Sequence, residues 1–249
     1  MVPPVLAAVW FGPPWSDLLV VAAMAVLCWE WARMTGGPDP RPTFSRPGAL
    51  LLLVAVLVAC GLAAFGLWAL AAGLLGLALL AERFLTPGAP GRWLAGGVLY
   101  LGLPALAFIW LRHRPDGLEV IVWLLLVVWA GDIFAYLVGS RLRGPKLWPS
   151  VSPSKTWSGL IGGLAAAAGV AALGALHDPA RPAWLLALTG AAIALVAAGG
   201  DLLESAVKRH FGVKDVSAVI PGHGGLLDRV DALLVASLAL AGALWLAGS

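Results

Sequence analysis

Leu118-Glu-Val-Ile-Val-Trp-Leu-Leu-Leu-Val-Val-Trp-Ala-Gly-Asp132-Ile-Phe-Ala-Tyr136-Leu-Val138 decides the fold. It is 21 residues long, apolar throughout, and interrupted only by Glu119 near its start and Asp132 near its end. A hydrocarbon core of about 30 Å asks for about 20 such residues in a helix. The alternation of a half-buried strand is missing, and an open strand could not face lipid with its backbone unpaired. The same ruler finds comparable runs along the whole chain, at 16–34, 49–64, 65–85, 93–112, 158–176, 183–200 and 226–247. The second and third of these form one continuous stretch, divided near 64–66 because a single helix of that length would overshoot the bilayer. The opening 1–15 holds four prolines and no basic start. It reads poorly as a signal peptide and is expected to be a short interfacial, re-entrant or ninth-helix segment.

Composition agrees. Of 249 residues 61% are hydrophobic and 12% charged, with 31 Gly, 18 Pro and 13 Trp, and the mean hydropathy is +0.92. An ordinary soluble domain carries about 25% charged residues, and this chain could not bury so much apolar surface in water. A soluble α/β enzyme, a nucleic-acid-binding domain and a disordered tail are excluded. Cys28 and Cys60 lie inside apolar runs, which argues against a disulfide framework or a zinc site. The expected fold is an all-α polytopic integral membrane protein, a single membrane domain of about eight spans. Residues 1–117 are read as scaffold helices and 118–249 as the half that carries the functional residues, with cytoplasmic segments at 139–157 and 200–231. If the spans alternate, 13 of the 16 Lys and Arg residues share one side, and only Arg112, Arg114 and Arg181 fall opposite. The positive-inside rule makes the richer side cytoplasmic.

The two long segments on that side mix basic and acidic residues. A lipid-surface anchor needs basic residues alone, so interleaved acids point to a metal and phosphates together. Asp201, Glu204, Ser205 and Lys208 stand at i, i+3, i+4 and i+7, one face of a helix continuing the seventh span. A helix end snorkelling its charges into water is the plainer alternative. Further on, Pro221-Gly-His223-Gly224-Gly225-Leu-Leu-Asp228-Arg229-Val-Asp231 opens the last span. Paired glycines let backbone amides approach an anion, and the helix start attracts one. Asp228 and Asp231 share a face and repel unless a cation lies between them or one is protonated; ordinary N-terminal capping is the alternative. Hard cations such as Mg²⁺ take oxygen ligands and are shared with phosphates. His223 reads equally as a general acid, a ligand or a loop donor. Asp132, a carboxylate inside a span, is a functional candidate or a helix-orienting ion-pair partner. Ser152-Pro-Ser-Lys155-Thr156 supplies hydroxyls and an amine before the sixth span, or simply a capped start.

The set Ser205, Lys208, Arg209, Lys214, Asp215, His223, Gly224, Gly225, Asp228, Arg229 and Asp231 resembles, at every fixed position over 27 residues, the signature of the phosphatidate cytidylyltransferases (CDP-diacylglycerol synthases). The resemblance extends to Asp132…Ala135-Tyr136…Gly139, to Ser152-Pro153-x-Lys155-Thr156 and to Asp201, and in the N-terminal half to Trp29-Glu30-Trp31. Two departures stand out: Ser158 occupies a place where the family usually has Glu, and the N-terminus is short with no basic start. The resemblance implies that CTP and phosphatidic acid give CDP-diacylglycerol and pyrophosphate with Mg²⁺, at the cytoplasmic side of the inner membrane. Asp201 and Asp228 would hold the metal, with Asp231 and Asp132 assisting or holding a second cation. Asp201, Lys208, Asp228, Arg229 and Asp231 form the implied catalytic set. Lys155, Ser152, Thr156, Ser205, Arg209, Lys214, His223, Gly224 and Gly225 form the implied substrate-binding set. Partners are the two substrates and the bilayer, without nucleic acid, and a homodimer is a further expectation. An ion-coupled transporter would spread its charges along several spans and show repeat symmetry. A lipid-alcohol kinase would lack the full signature, and a CDP-alcohol phosphatidyltransferase would carry Asp-Gly-x-x-Ala-Arg; neither pattern fits.

Overall fold

A computed structural model describes residues 2–36, 41–177, 181–220, 222 and 224–248. Among them nine α-helices form, in chain order: α1 (Val2–Phe11), α2 (Trp15–Thr35), α3 (Pro47–Ala64), α4 (Trp68–Leu85), α5 (Ala89–His113), α6 (Gly117–Leu142), α7 (Trp157–Ala172), α8 (Ala183–His210) and α9 (Leu227–Leu246). Eight, α2 to α9, are long and apolar enough to cross a membrane, α7 with the 3-10 turn that prolongs it to Leu176. The protein is an all-α polytopic membrane protein. The long apolar stretch does divide at its expected place, α3 ending at Ala64 and α4 starting at Trp68. The N-terminal segment is a helix of 10 residues, at 1.5 Å per residue about 15 Å long and too short to span. Strands were not expected, yet 139–157 holds a small antiparallel hairpin, β1 (Lys146–Trp148) with β2 (Ser152–Thr156), Lys146 opposite Thr156 and Trp148 opposite Ser152. The bar on exposed strands applies within hydrocarbon, and this hairpin lies between two spans.

The chain forms two compact units. The first comprises Met1–Leu118 with Asp215–Arg229, the second Glu119–Lys214 with Val230–Ser249. In the first, α2, α3, α4 and α5 pack on one another around fully buried Leu27, Leu52, Leu75, Leu101 and Ile109. The Trp31 indole nitrogen donates to the Trp93 carbonyl at 2.8 Å. A side chain on Gly97 would strike that ring, its Cβ falling 2.4 Å from Nε1, so the missing side chain is what lets α5 approach α2. The faces turned away from the bundle carry Leu70, Leu77, Leu80 and Phe84 of α4, all exposed; such a surface suits lipid.

In the second unit small residues recur every fourth position. Gly131, Ala135 and Gly139 of α6 face Gly159, Gly163 and Ala167 of α7: an added Cβ on Gly163 would meet the Gly131 carbonyl at 2.7 Å, and one on Gly159 the Ala135 carbonyl at 2.7 Å. In lipid, where apolar side chains gain little by leaving the solvent, close backbone approach of this kind drives helix association. Gly190 of α8 makes the tightest such contact, its added Cβ lying 2.3 Å from the Ala171 Cβ and 2.9 Å from the Ala167 carbonyl. Gly190→Val is therefore expected to cost about 1–3 kcal/mol through overpacking, seen as a lower melting temperature in detergent. Gly169→Ala, which has open space around it, should leave the melting temperature unchanged or slightly raised.

Candidate metal and phosphate site

Helix α8 has 28 residues and so runs about 42 Å, beyond what a bilayer core of about 30 Å requires. Its last turns carry the charged face expected from spacing. Ser205 donates its hydroxyl to Asp201 Oδ1 at 3.4 Å, and Lys208 Nζ lies 2.6 Å from Glu204 Oε2. The Glu204 side chain is 1% exposed and Lys208 is buried beside it. A buried glutamate requires such a partner, because desolvating a lone carboxylate is costly.

Lys155 reaches the same face from β2. Its Nζ stands 2.5 Å from Asp201 Oδ2. The local chain fixes its direction. Thr156, the next residue, caps α7, its hydroxyl oxygen accepting from Gly159 N at 3.1 Å, a role threonine fills well at a helix start. Ser158 donates its hydroxyl to the Arg143 carbonyl and pairs with Thr156 Oγ1 at 3.1 Å. The residue standing where the family usually has an acid thus ties the hairpin to the helix. Thr156, expected among the substrate-binding groups, has its hydroxyl engaged in the cap, whereas Ser152 is half-exposed at the start of β2.

Asp231 of α9 completes the cluster. One carboxylate oxygen from each of Asp201, Glu204 and Asp231 lies within 4.8 Å of the others, with Glu204 and Asp231 buried and Asp201 half-exposed. Lys155 and Lys208 are within electrostatic reach of Asp231 as well. Three carboxylates so close repel unless cations lie among them or one is protonated, and Lys155 and Lys208 supply two positive charges at the cluster. All three donors are hard oxygens, so the group fits a hard divalent cation such as Mg²⁺ better than a soft metal. Asp132 of α6 is exposed; it lies within electrostatic reach of Lys155 and Asp201 and borders an apolar cleft lined by Val128, Leu160, Leu164 and Ala197. The structure thus brings together Asp201, Asp231, Lys155, Lys208 and Ser205 from the expected set. It adds Glu204, which the spacing had placed on this face but which was not counted among the ligands.

The remaining motif residues belong to the segment before α9. Asp228 turns its carboxylate back on that segment, Oδ2 accepting from Gly225 N at 2.9 Å and from Val216 N at 3.3 Å. Gly224 has φ +83°, a backbone conformation that only glycine adopts freely. Lys214, Arg209 and Arg229 are exposed, and Arg209 also donates to the Val213 carbonyl at 3.0 Å. His223 lies outside the described residues. Glu30 of α2, which spacing did not single out, is wholly buried and accepts from Ser217 Oγ at 2.5 Å, from Leu226 N at 2.8 Å and from Leu227 N at 2.7 Å. The available signals were its place in Trp29-Glu30-Trp31 and a carboxylate within an apolar span, which in itself marks a functional candidate.

A largely helical, multi-spanning protein with three clustered carboxylates and two lysines carries the kinds of group with which membrane enzymes handle phosphates. The sequence profile of the Cytidylyltransferase family matches residues 1–246, and the chain belongs to that family. It is 39% identical to the phosphatidate cytidylyltransferase of Brucella abortus biovar 1 (strain 9-941) over 235 residues, covering 93% of this chain and 84% of the relative. It is also 39% identical to the phosphatidate cytidylyltransferase of Pseudomonas aeruginosa over 246 positions, covering 93% and 88%. The enzyme of the same name from Staphylococcus haemolyticus is 42% identical over 138 residues, 55% of this chain.

Proposed function

We propose that this protein transfers the cytidylyl group of CTP to phosphatidic acid, releasing pyrophosphate and leaving CDP-diacylglycerol in the membrane. The observation that carries the reading is the cluster of Asp201, Glu204 and Asp231 with Lys155 and Lys208. It is what a phosphoryl-transfer site needs, and the family match supplies the substrates. A phosphate monoester has its second pKa near about 6 and is largely a dianion at neutral pH. Its oxygen attacks the α-phosphorus of CTP, the new P–O bond forms, and the bond to the bridging oxygen of the β-phosphate breaks as pyrophosphate leaves. No activated serine or strong base is needed; the chain must align two anions and balance charge on the leaving group.

Asp201, Glu204 and Asp231 would hold Mg²⁺, with Asp132 and Asp228 as further candidates and room for a second cation in the donor set. Bound there, Mg²⁺ supplies charge neutralisation on the phosphate oxygens. Lys155 and Lys208 hold those carboxylates in register and offer their amines to phosphate oxygens. Arg229, Lys214 and Arg209 present exposed positive charge to the triphosphate, and Gly224 shapes the turn beside them while the Gly225 N–H is engaged by Asp228, with Gly225, Ser152, Ser205, Thr156 and His223 retained as substrate-side residues of the motif. By the positive-inside rule the site faces the cytoplasm of the inner membrane, where CTP arrives from water and phosphatidate from the leaflet. Residues 118–249 hold most of this machinery, and a homodimer remains part of the proposal.

Purified protein given CTP, phosphatidate and Mg²⁺ is expected to release pyrophosphate only when both substrates are present. Release without phosphatidate, or none at all, overturns the reading. Chelation by EDTA should lower the rate by about 100-fold or more, and added Mg²⁺ should restore it; a rate indifferent to EDTA removes the metal from the account.

A further inference from the structure

Glu30 sits near the C-terminal end of α2, yet every hydrogen bond described for it goes to residues 187 to 197 positions later in the chain. Leu226 and Leu227 lead into α9, where the first backbone N–H groups have no partner within the helix. The carboxylate spreads over them: Oε1 takes Leu226 N and the Ser217 hydroxyl, and Oε2 takes Leu227 N. Ser217 Oγ in turn accepts from Val219 N at 3.2 Å. A negative charge at a helix start is favourable, and three donors offset the cost of burying it. Asp228 grips the same segment from the other side through Gly225 N and Val216 N. The two carboxylates converge on Gly225: a Cβ there would lie 2.7 Å from Glu30 Oε1 and 3.1 Å from Asp228 Oδ2. Gly225 is thus the gap through which both acids reach one stretch of backbone.

We propose that Glu30 is a positioning residue that clamps the segment before α9 so that the start of that helix, with Asp228 and Arg229 on it, keeps the place the reaction requires. This rests on the function proposed above. Glu30 touches no substrate; it acts through Ser217, Leu226 and Leu227. Asp228 and Arg229 must already be in place when the substrates arrive, because groups that must reorganise during the reaction lose most of their effect. Glutamine in its place keeps one acceptor oxygen but turns an NH₂ toward a backbone N–H, donor against donor, and alanine leaves the buried amides without a partner.

The test compares full-length Glu30→Gln, Glu30→Ala and Ser217→Ala with the unaltered protein in detergent micelles. It reads kcat and KM for CTP, melting temperature, and hydrogen exchange of peptides covering 214–229. Glu30→Gln is expected to speed exchange at Leu226 and Leu227 and to lower kcat/KM for CTP by about tenfold or more, with the melting temperature falling by less than in Glu30→Ala. Ser217→Ala should move both quantities the same way by less. Exchange that stays slow in Glu30→Gln refutes the clamp. Faster exchange with catalysis within twofold of the unaltered protein refutes its role in the reaction. Activity and melting temperature that fall in step in all variants, Ser217→Ala included, make Glu30 merely structural. Should the unaltered protein transfer no cytidylyl group, the enzymatic reading fails, while the exchange data still decide whether Glu30 holds the segment.

Discussion

Asp201→Asn is expected to lower turnover by about 100- to 1000-fold, the range seen when one preorganised electrostatic group is removed from a transition state, while the protein still inserts and melts normally. Asp201 is where three contributions meet: Lys155 at 2.5 Å, Ser205 at 3.4 Å and the carboxylates of Glu204 and Asp231. The substitution keeps volume and hydrogen-bonding capacity but removes one charge. If that charge served only to hold Lys155, a half-exposed ion pair would be lost, and such pairs contribute little to stability. If it holds a divalent cation beside phosphates, rate and metal affinity fall together, and raising Mg²⁺ recovers part of the rate. Turnover within about fivefold of the unaltered protein, independent of Mg²⁺, would show that the cluster is an ion-pair network alone.

Asp228→Asn separates two roles for the aspartate at the start of α9. As a fastener it needs only an oxygen for Gly225 N and Val216 N, and asparagine supplies one. As a carrier of charge for metal or phosphate it cannot be replaced by an amide. The expected result is a loss of about 100-fold or more in kcat with the exchange of 214–229 unchanged. Near-normal kcat would reduce Asp228 to a fastener and remove it from the metal set.

The spans were legible because a bilayer imposes a length on every apolar run, and the break between α3 and α4 followed from that length alone. The charged face of α8 was legible for a similar reason: a helix of period 3.6 puts Asp201, Glu204, Ser205 and Lys208 together wherever its partners lie. The β1–β2 hairpin was not, since three and five residues carry too little periodicity to announce a strand, and the pairing depends on register between Lys146–Thr156 and Trp148–Ser152. Glu204 was placed on the correct face but not in the ligand set, which followed the resemblance; only Asp231, arriving on another helix, makes it part of a trio. Glu30 was named within Trp29-Glu30-Trp31 but with no role. Its partners lie 187 to 197 positions further on, and no local pattern encodes a contact made by tertiary packing.

Two preparations of CTP, one labelled at the α-phosphorus and one at the γ-phosphorus, incubated with phosphatidate and the purified protein, put the central claim to its most direct test. Cytidylyl transfer sends the α-label into the lipid and the γ-label into pyrophosphate. A γ-label found in lipid, with CDP released, would instead mark a CTP-dependent lipid kinase and contradict the account.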